Sequence, residues 1–157
     1  MRRRQDPALF RASADFIRGF AAWNTIVHLT FGEDVSFAVA RRLFRLWARM
    51  IAGGSQDHVA IAWAEDAQTG GRPHYHVLLQ LRELANYRFQ WLALAWSRVG
   101  GRQAGDCLAE DFEDGIEGPS YLVEHARWEV NVLCHRPASC RRSGGPPCRV
   151  AGVPFSP

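Results

Sequence analysis

The chain has 157 residues, 47% of them hydrophobic, with six tryptophans. That suffices to bury one core but not two, and it excludes a disordered chain. No apolar run approaches the roughly 20 residues that cross a bilayer. The basic start Met1-Arg2-Arg3-Arg4 leads into Gln5-Asp6-Pro7 rather than an apolar signal core, so neither membrane insertion nor export is expected.

Charge is unevenly placed. All 19 basic residues are arginine, against 16 acids. Seven arginines lie at the ends (Arg2, Arg3, Arg4, Arg136, Arg141, Arg142, Arg149), and without them the remainder is net acidic. A polyanion-binding role would therefore draw on the tails, on local arginines and on a metal ion. The lysine-free composition suggests GC-rich coding, and so a cytoplasmic, bacterial protein is expected.

In chain order, Pro7 to Ala22 reads as a helix, with Leu9, Phe16, Ile17 and Phe20 at helical spacing and Pro7 in the first turn. Trp23 to Phe31 is rich in β-branched and aromatic residues and reads as a strand. Ser36 to Ala52 carries an apolar stripe (Val39, Leu43, Leu46, Trp47, Met50) with arginines on the rest, and Gly53-Gly54 ends that helix. Two strands follow, His58 to Glu65 and His74 to Leu81, joined by a hairpin loop containing Thr69-Gly70-Gly71.

Asn86 is placed to cap a helix from Tyr87 to about Val99, ended by Gly100-Gly101. Gly105 to Phe112 reads as a short strand. The acids Glu110, Asp111, Glu113, Asp114 and Glu117 read as a solvated loop. Gly118-Pro119 opens a helix carrying Tyr121, and Trp128 to Cys134 alternates as a final strand. Residues 1–135 then form one domain and 136–157, rich in Pro, Gly, Ser, Cys and Arg, a flexible tail. Helix followed by β-α-β-β-α-β predicts an α+β two-layer sandwich of ferredoxin-like type: an antiparallel sheet with helices on one face and chemistry on the open face.

The segment that carries chemistry runs from Ala64 to Leu79. In a strand, residues two apart share a face, so His74 and His76 project together while Tyr75, Val77 and Leu79 enter the core. Alternation in the preceding strand groups Val59, Ile61, Trp63 and Glu65 on one face. Ala60, Ala62 and Ala64 take the other, where small side chains let helices approach. With Glu65 facing the same way as His74 and His76, two imidazoles and a carboxylate make a half-shell for a divalent ion. Trp63 and Arg72 would then flank it and suit single-stranded nucleic acid by stacking and phosphate pairing. His28 and His58 read as structural. Cys134, Cys140, Cys148 and His135 lie close enough in sequence for a zinc site, although no CxxC pair is present.

Pro73-His74-Tyr75-His76-Val77-Leu78-Leu79, preceded by Glu65, resembles the metal motif of HUH single-strand DNA endonucleases, in particular rolling-circle replication initiators. The strand ending Leu29-Thr30-Phe31 resembles their first motif. Gly118-Pro119-Ser120-Tyr121-Leu122-Val123 resembles the helix that bears their tyrosine, and order and spacing agree from about Trp23 to Arg127. The resemblance implies Mg2+ or Mn2+ held by Glu65, His74 and His76, with Tyr121 attacking a DNA phosphate to leave a 5′-phosphotyrosine link. The partners implied are a single-stranded target and a separate helicase. Apart from the resemblance, His125 lies one turn beyond Tyr121 on the same helix face, placed to steady phosphate or hydroxyl, and Arg127 is a candidate DNA contact.

The chain departs from the pattern at one point. Such initiators place a lysine within a turn of the tyrosine, where this chain has Glu124 and His125. Two other readings stay open: a catalytically impaired HUH-like domain that binds nucleic acid, and an unrelated metalloenzyme using two histidines and one carboxylate.

Overall fold

A computed structural model of the protein describes residues 7–32, 34–55, 58–68, 70–81, 87–112, 118–125, 129–135 and 151–154. Four strands lie side by side in one antiparallel sheet: β1 (Thr25–Phe31), β2 (Val59–Ala67), β3 (Pro73–Gln80) and β4 (Ala104–Asp111), with β4 at the edge. Their order across the sheet is β4-β1-β3-β2. The helices α2 (Phe37–Gly54) and α3 (Arg88–Gly100) make the two crossovers, α2 joining β1 to β2 and α3 joining β3 to β4. This is the predicted α+β, ferredoxin-like arrangement. Two further strands, β5 (Glu129–His135) and β6 (Ala151–Pro154), extend the sheet beyond β2.

Residues 151–154 pair antiparallel with β5, so an edge strand stands inside the segment read as flexible. Asn86, the acids Glu113, Asp114 and Glu117, and Cys140 and Cys148 lie outside the described residues. Glu110 and Asp111, assigned from sequence to the solvated loop, instead close β4.

Alternation along the strands divides the molecule into two apolar layers. On one face Val27, Leu29, Phe31, Val59, Ile61, Tyr75, Val77 and Leu79 pack under α2 and α3, against Phe44, Trp47, Ile51, Leu92 and Trp96. α2 starts where the Ser36 hydroxyl accepts from the Val39 amide at 3.3 Å, an N-cap bond that satisfies one of the free amides of the first turn. The Trp47 indole N–H donates to the Leu92 carbonyl at 3.2 Å and ties the two helices together.

The opposite face is not left open along its whole width, as a sheet with helices on one face only would be. Helices α1 (Pro7–Phe20) and α4 (Gly118–His125) lie against it, where Ala14, Ile17, Leu122 and Val123 bury Ala60, Ala62, Ala64 and Leu78. Methyl side chains on β2 set this approach: three alanines in register leave room for a helix that larger residues would hold off. Trp23 stacks beside Phe20 and donates its indole N–H to the Ile17 carbonyl at 2.8 Å, which locks the end of α1 to the sheet.

Among the described residues no helix is long and apolar enough to cross a membrane.

Candidate metal centre

The β2–β3 hairpin determines which residues meet. Ala67 pairs with Pro73, so the loop between them has five residues, 68–72. Its closure uses the Gln68 amide donating to the Arg72 carbonyl and the Gly71 amide donating to the Gln68 carbonyl, both at 2.8 Å. Gly70 and Gly71 both have positive φ (95° and 80°), a conformation that side chains resist. With this loop, Asp66 stands opposite His74, Glu65 opposite Tyr75 and Ala64 opposite His76. Directly paired residues of an antiparallel ladder share a face.

Glu65 is therefore not on the histidine face, and the expected ligand set is corrected. It is 7% exposed and lies under α2. Arg41 donates to it from Nε at 2.8 Å and from Nη2 at 2.9 Å, and the Tyr75 hydroxyl donates to Oε2 at 2.7 Å. Tyr75 is itself stacked on Phe44, with ring centroids 4.5 Å apart. Burial first, and the Glu65 hydrogen bond second, raise the Tyr75 hydroxyl well above the usual tyrosine range, so it serves as a neutral donor. Trp63 moves with Glu65. Its ring lies 5.1 Å from Phe44 against the α2 layer, so it does not flank the histidines.

A third histidine takes the place expected for Glu65. In β1 the buried residues are Thr25, Val27, Leu29 and Phe31, so Ile26, His28 and Thr30 face the other way. The ladder sets His28 opposite His76 and Thr30 opposite His74. The ligand atoms of His28, His74 and His76 all lie within 4.8 Å of one another. Nδ1 of His28 and Nδ1 of His76 are 3.1 Å apart. Two nitrogens bound to one tetrahedral ion at about 2.05 Å would be separated by roughly 3.3 Å, so the three imidazoles fit a metal ion.

His28 was legible in principle. TIVHLTF alternates as cleanly as PHYHVLL, and each places its histidines on the face away from the apolar run. What sequence could not say is that these two strands are neighbours.

Asp66 also lies on this face, and its Oδ2 is 3.9 Å from Nε2 of His76. Tyr121, from α4, stands edge-on to the cluster, with its ring centroid 5.1 Å from His76 and 6.1 Å from His28. Leu122 and Val123, both buried in the alanine layer, hold α4 at the depth that brings Tyr121 there. Burial above all, and then the carboxylates of Asp66 and Glu124, raise the Tyr121 hydroxyl above the usual tyrosine range. Arg72 is exposed in the hairpin loop, two residues from His74. His125 closes α4, but its side chain lies outside the described residues, as does Arg127. The same holds for the side chains of Cys134 and His135.

The chain matches no protein-family model and no curated protein.

Proposed function

We propose that the protein is a metal-dependent enzyme that nicks and rejoins single-stranded DNA, with Tyr121 as nucleophile. The observation that carries this reading is the position of Tyr121 against the three histidines, reached from a separate helix on the far side of the β-α-β-β-α-β unit. Neither packing nor backbone hydrogen bonding requires a phenol, three imidazoles and a carboxylate to converge at one point of a sheet. Together they resemble the metal and tyrosine sites of HUH endonucleases, with His28 where an acid is usual.

A divalent ion bound to His28, His74 and His76 would polarise the scissile phosphate and offset charge developing on its oxygens. Tyr121 Oη attacks phosphorus and the bond from phosphorus to the 3′-oxygen breaks. The tyrosine's proton is lost and one proton ends on the 3′-oxygen, leaving a free 3′-hydroxyl and a 5′-phosphotyrosine link. Attack by a 3′-hydroxyl on that link reverses the step and rejoins a strand without ATP. Arg72, exposed beside β3, supplies positive charge for a neighbouring phosphate. A single-stranded target and a separate helicase are the partners this chemistry calls for.

A second reading, a nucleic-acid-binding domain that has lost the reaction, is favoured by one observation. The carboxylates of Asp66 and Glu124 act on Tyr121, and Glu124 and His125 stand within a turn of it, where the resembling enzymes have a lysine. The reading as an unrelated two-histidine, one-carboxylate enzyme loses Glu65 as its carboxylate, since Glu65 faces α2.

Purified protein incubated with a pool of labelled single-stranded oligonucleotides and Mn2+ should give a covalent protein–DNA band on a denaturing gel. The band should need metal and vanish in Tyr121→Phe. Absence of the band from folded, metal-loaded protein, with retained binding to the pool, would establish the second reading instead.

A further inference from the structure

We infer that Asp66 is the positioning carboxylate of this centre: it holds the Nε2 side of His76, so that His76 and His28 both present Nδ1 to one ion. The inference rests on the metal-centre reading above and adds the residue that sets how the histidines bind.

Three distances carry it. The Nδ1 atoms of His28 and His76 converge at 3.1 Å, a distance at which one ring can hydrogen-bond the other and which is also close to the spacing of two ligands of one ion. A metal on Nδ1 of His76 leaves the ring's proton on Nε2, and Nε2 is the atom that faces Asp66 Oδ2 at 3.9 Å. The carboxylate is itself anchored, because its other oxygen, Oδ1, accepts from the Ala67 amide at 2.7 Å. Oδ2 is the oxygen on the side of the His76 ring. A small closure of the imidazole toward Asp66 turns the approach into a hydrogen bond. Metal-bound histidines commonly donate their second N–H to such a partner, which fixes ring orientation and tautomer.

Neither Glu65 nor Glu124 takes this place. Glu65 is engaged by Arg41 and Tyr75 on the opposite face, and Glu124 is exposed on α4. His76 is 3% exposed, so bulk water cannot replace the carboxylate at Nε2 without opening the site. The hairpin produces the arrangement: the loop of 68–72 that turns Glu65 toward the core turns Asp66 toward the histidines.

The test uses Zn2+ as probe, titrated against a chromophoric chelator, with wild type, Asp66→Ala, Asp66→Asn and Glu124→Gln. Asp66→Ala should bind Zn2+ about 10- to 100-fold more weakly. Asp66→Asn should recover part of that loss, since an amide oxygen still accepts from Nε2. Glu124→Gln removes the same charge near the site without touching His76, and should stay close to wild type. Long-range 1H–15N spectra of the zinc-loaded wild type should show a protonated Nε2 and a metal-bound Nδ1 for His76. Thermal melts of the metal-free variants establish that each is folded.

Zinc affinity of folded Asp66→Ala equal to wild type, or ligation of His76 through Nε2, overturns the inference and leaves the metal-centre reading standing. Wild-type protein that takes up no zinc overturns both. Equal losses in Asp66→Ala and Glu124→Gln would reduce Asp66 to a bystander charge and overturn the positioning role.

Discussion

Tyr75 donates a 2.7 Å hydrogen bond to Glu65 from the face of the sheet opposite the two histidines that flank it in sequence. Glu65 is thus a structural acid, and its removal should separate cleanly from the removal of a ligand. Glu65→Ala leaves Tyr75 and Arg41 without their acceptor, and because Arg41 is half exposed the cost falls near the low end for a broken buried pair, about 3 kcal/mol. His28→Ala should change stability by less than about 1 kcal/mol. Its metal affinity should collapse, while Glu65→Ala, where still folded, keeps most of it. Urea melts and a Zn2+ titration on the same samples check this, and a Glu65 variant that stays stable yet loses metal would restore Glu65 as a ligand.

The donor set also bears on which ion binds. Magnesium and manganese follow from the family resemblance, in which an acid completes the site. Three imidazoles are a nitrogen set, which suits zinc, cobalt or nickel and is poor for magnesium. The expected affinity order is Mg2+ far below Mn2+, then Co2+, with Zn2+ tighter than Mn2+. Competition titrations would show it. Measurable Mg2+ binding at micromolar concentration would mean that an oxygen ligand enters the site.

Cys107 provides a pH test on the face of the sheet opposite the histidines, where it pairs with Leu29. Burial pushes its thiol up to about 12, so the folded state holds this proton more tightly than the unfolded chain does. The resulting stability is present in full below the ordinary thiol value of about 8.5 and is lost as pH rises from there toward 12, by at most about 1.4 kcal/mol per pH unit. Cys107→Ala should therefore flatten the fall in stability between pH 9 and 11, measured by denaturant unfolding. Peptide mapping after alkylation at pH 8 should find Cys107 modified more than tenfold slower than a free thiol. Rapid modification in folded protein would show the site to be open.

Much of this protein is legible from residue order alone. The alternation of TIVHLTF, VAIAWAEDA and PHYHVLL, the apolar stripe of α2 and the glycines at the turns determine the elements and the α+β class, because side-chain direction in a strand or helix follows from local geometry. They also determine that His74 and His76 project together, and the resemblance around Tyr121 pointed to the residue that α4 brings to them. Strand pairing decided the rest. Whether Glu65 or Asp66 joins the histidines depends on the parity of the ladder, which the five-residue loop sets, and a loop one residue longer or shorter would have exchanged them. His28 enters because β1 pairs with β3 rather than lying elsewhere in the sheet, and Tyr121 because three alanines let α4 lie close. Those are contacts between residues dozens of positions apart. Sequence periodicity is local, and only the folded sheet says which local faces meet.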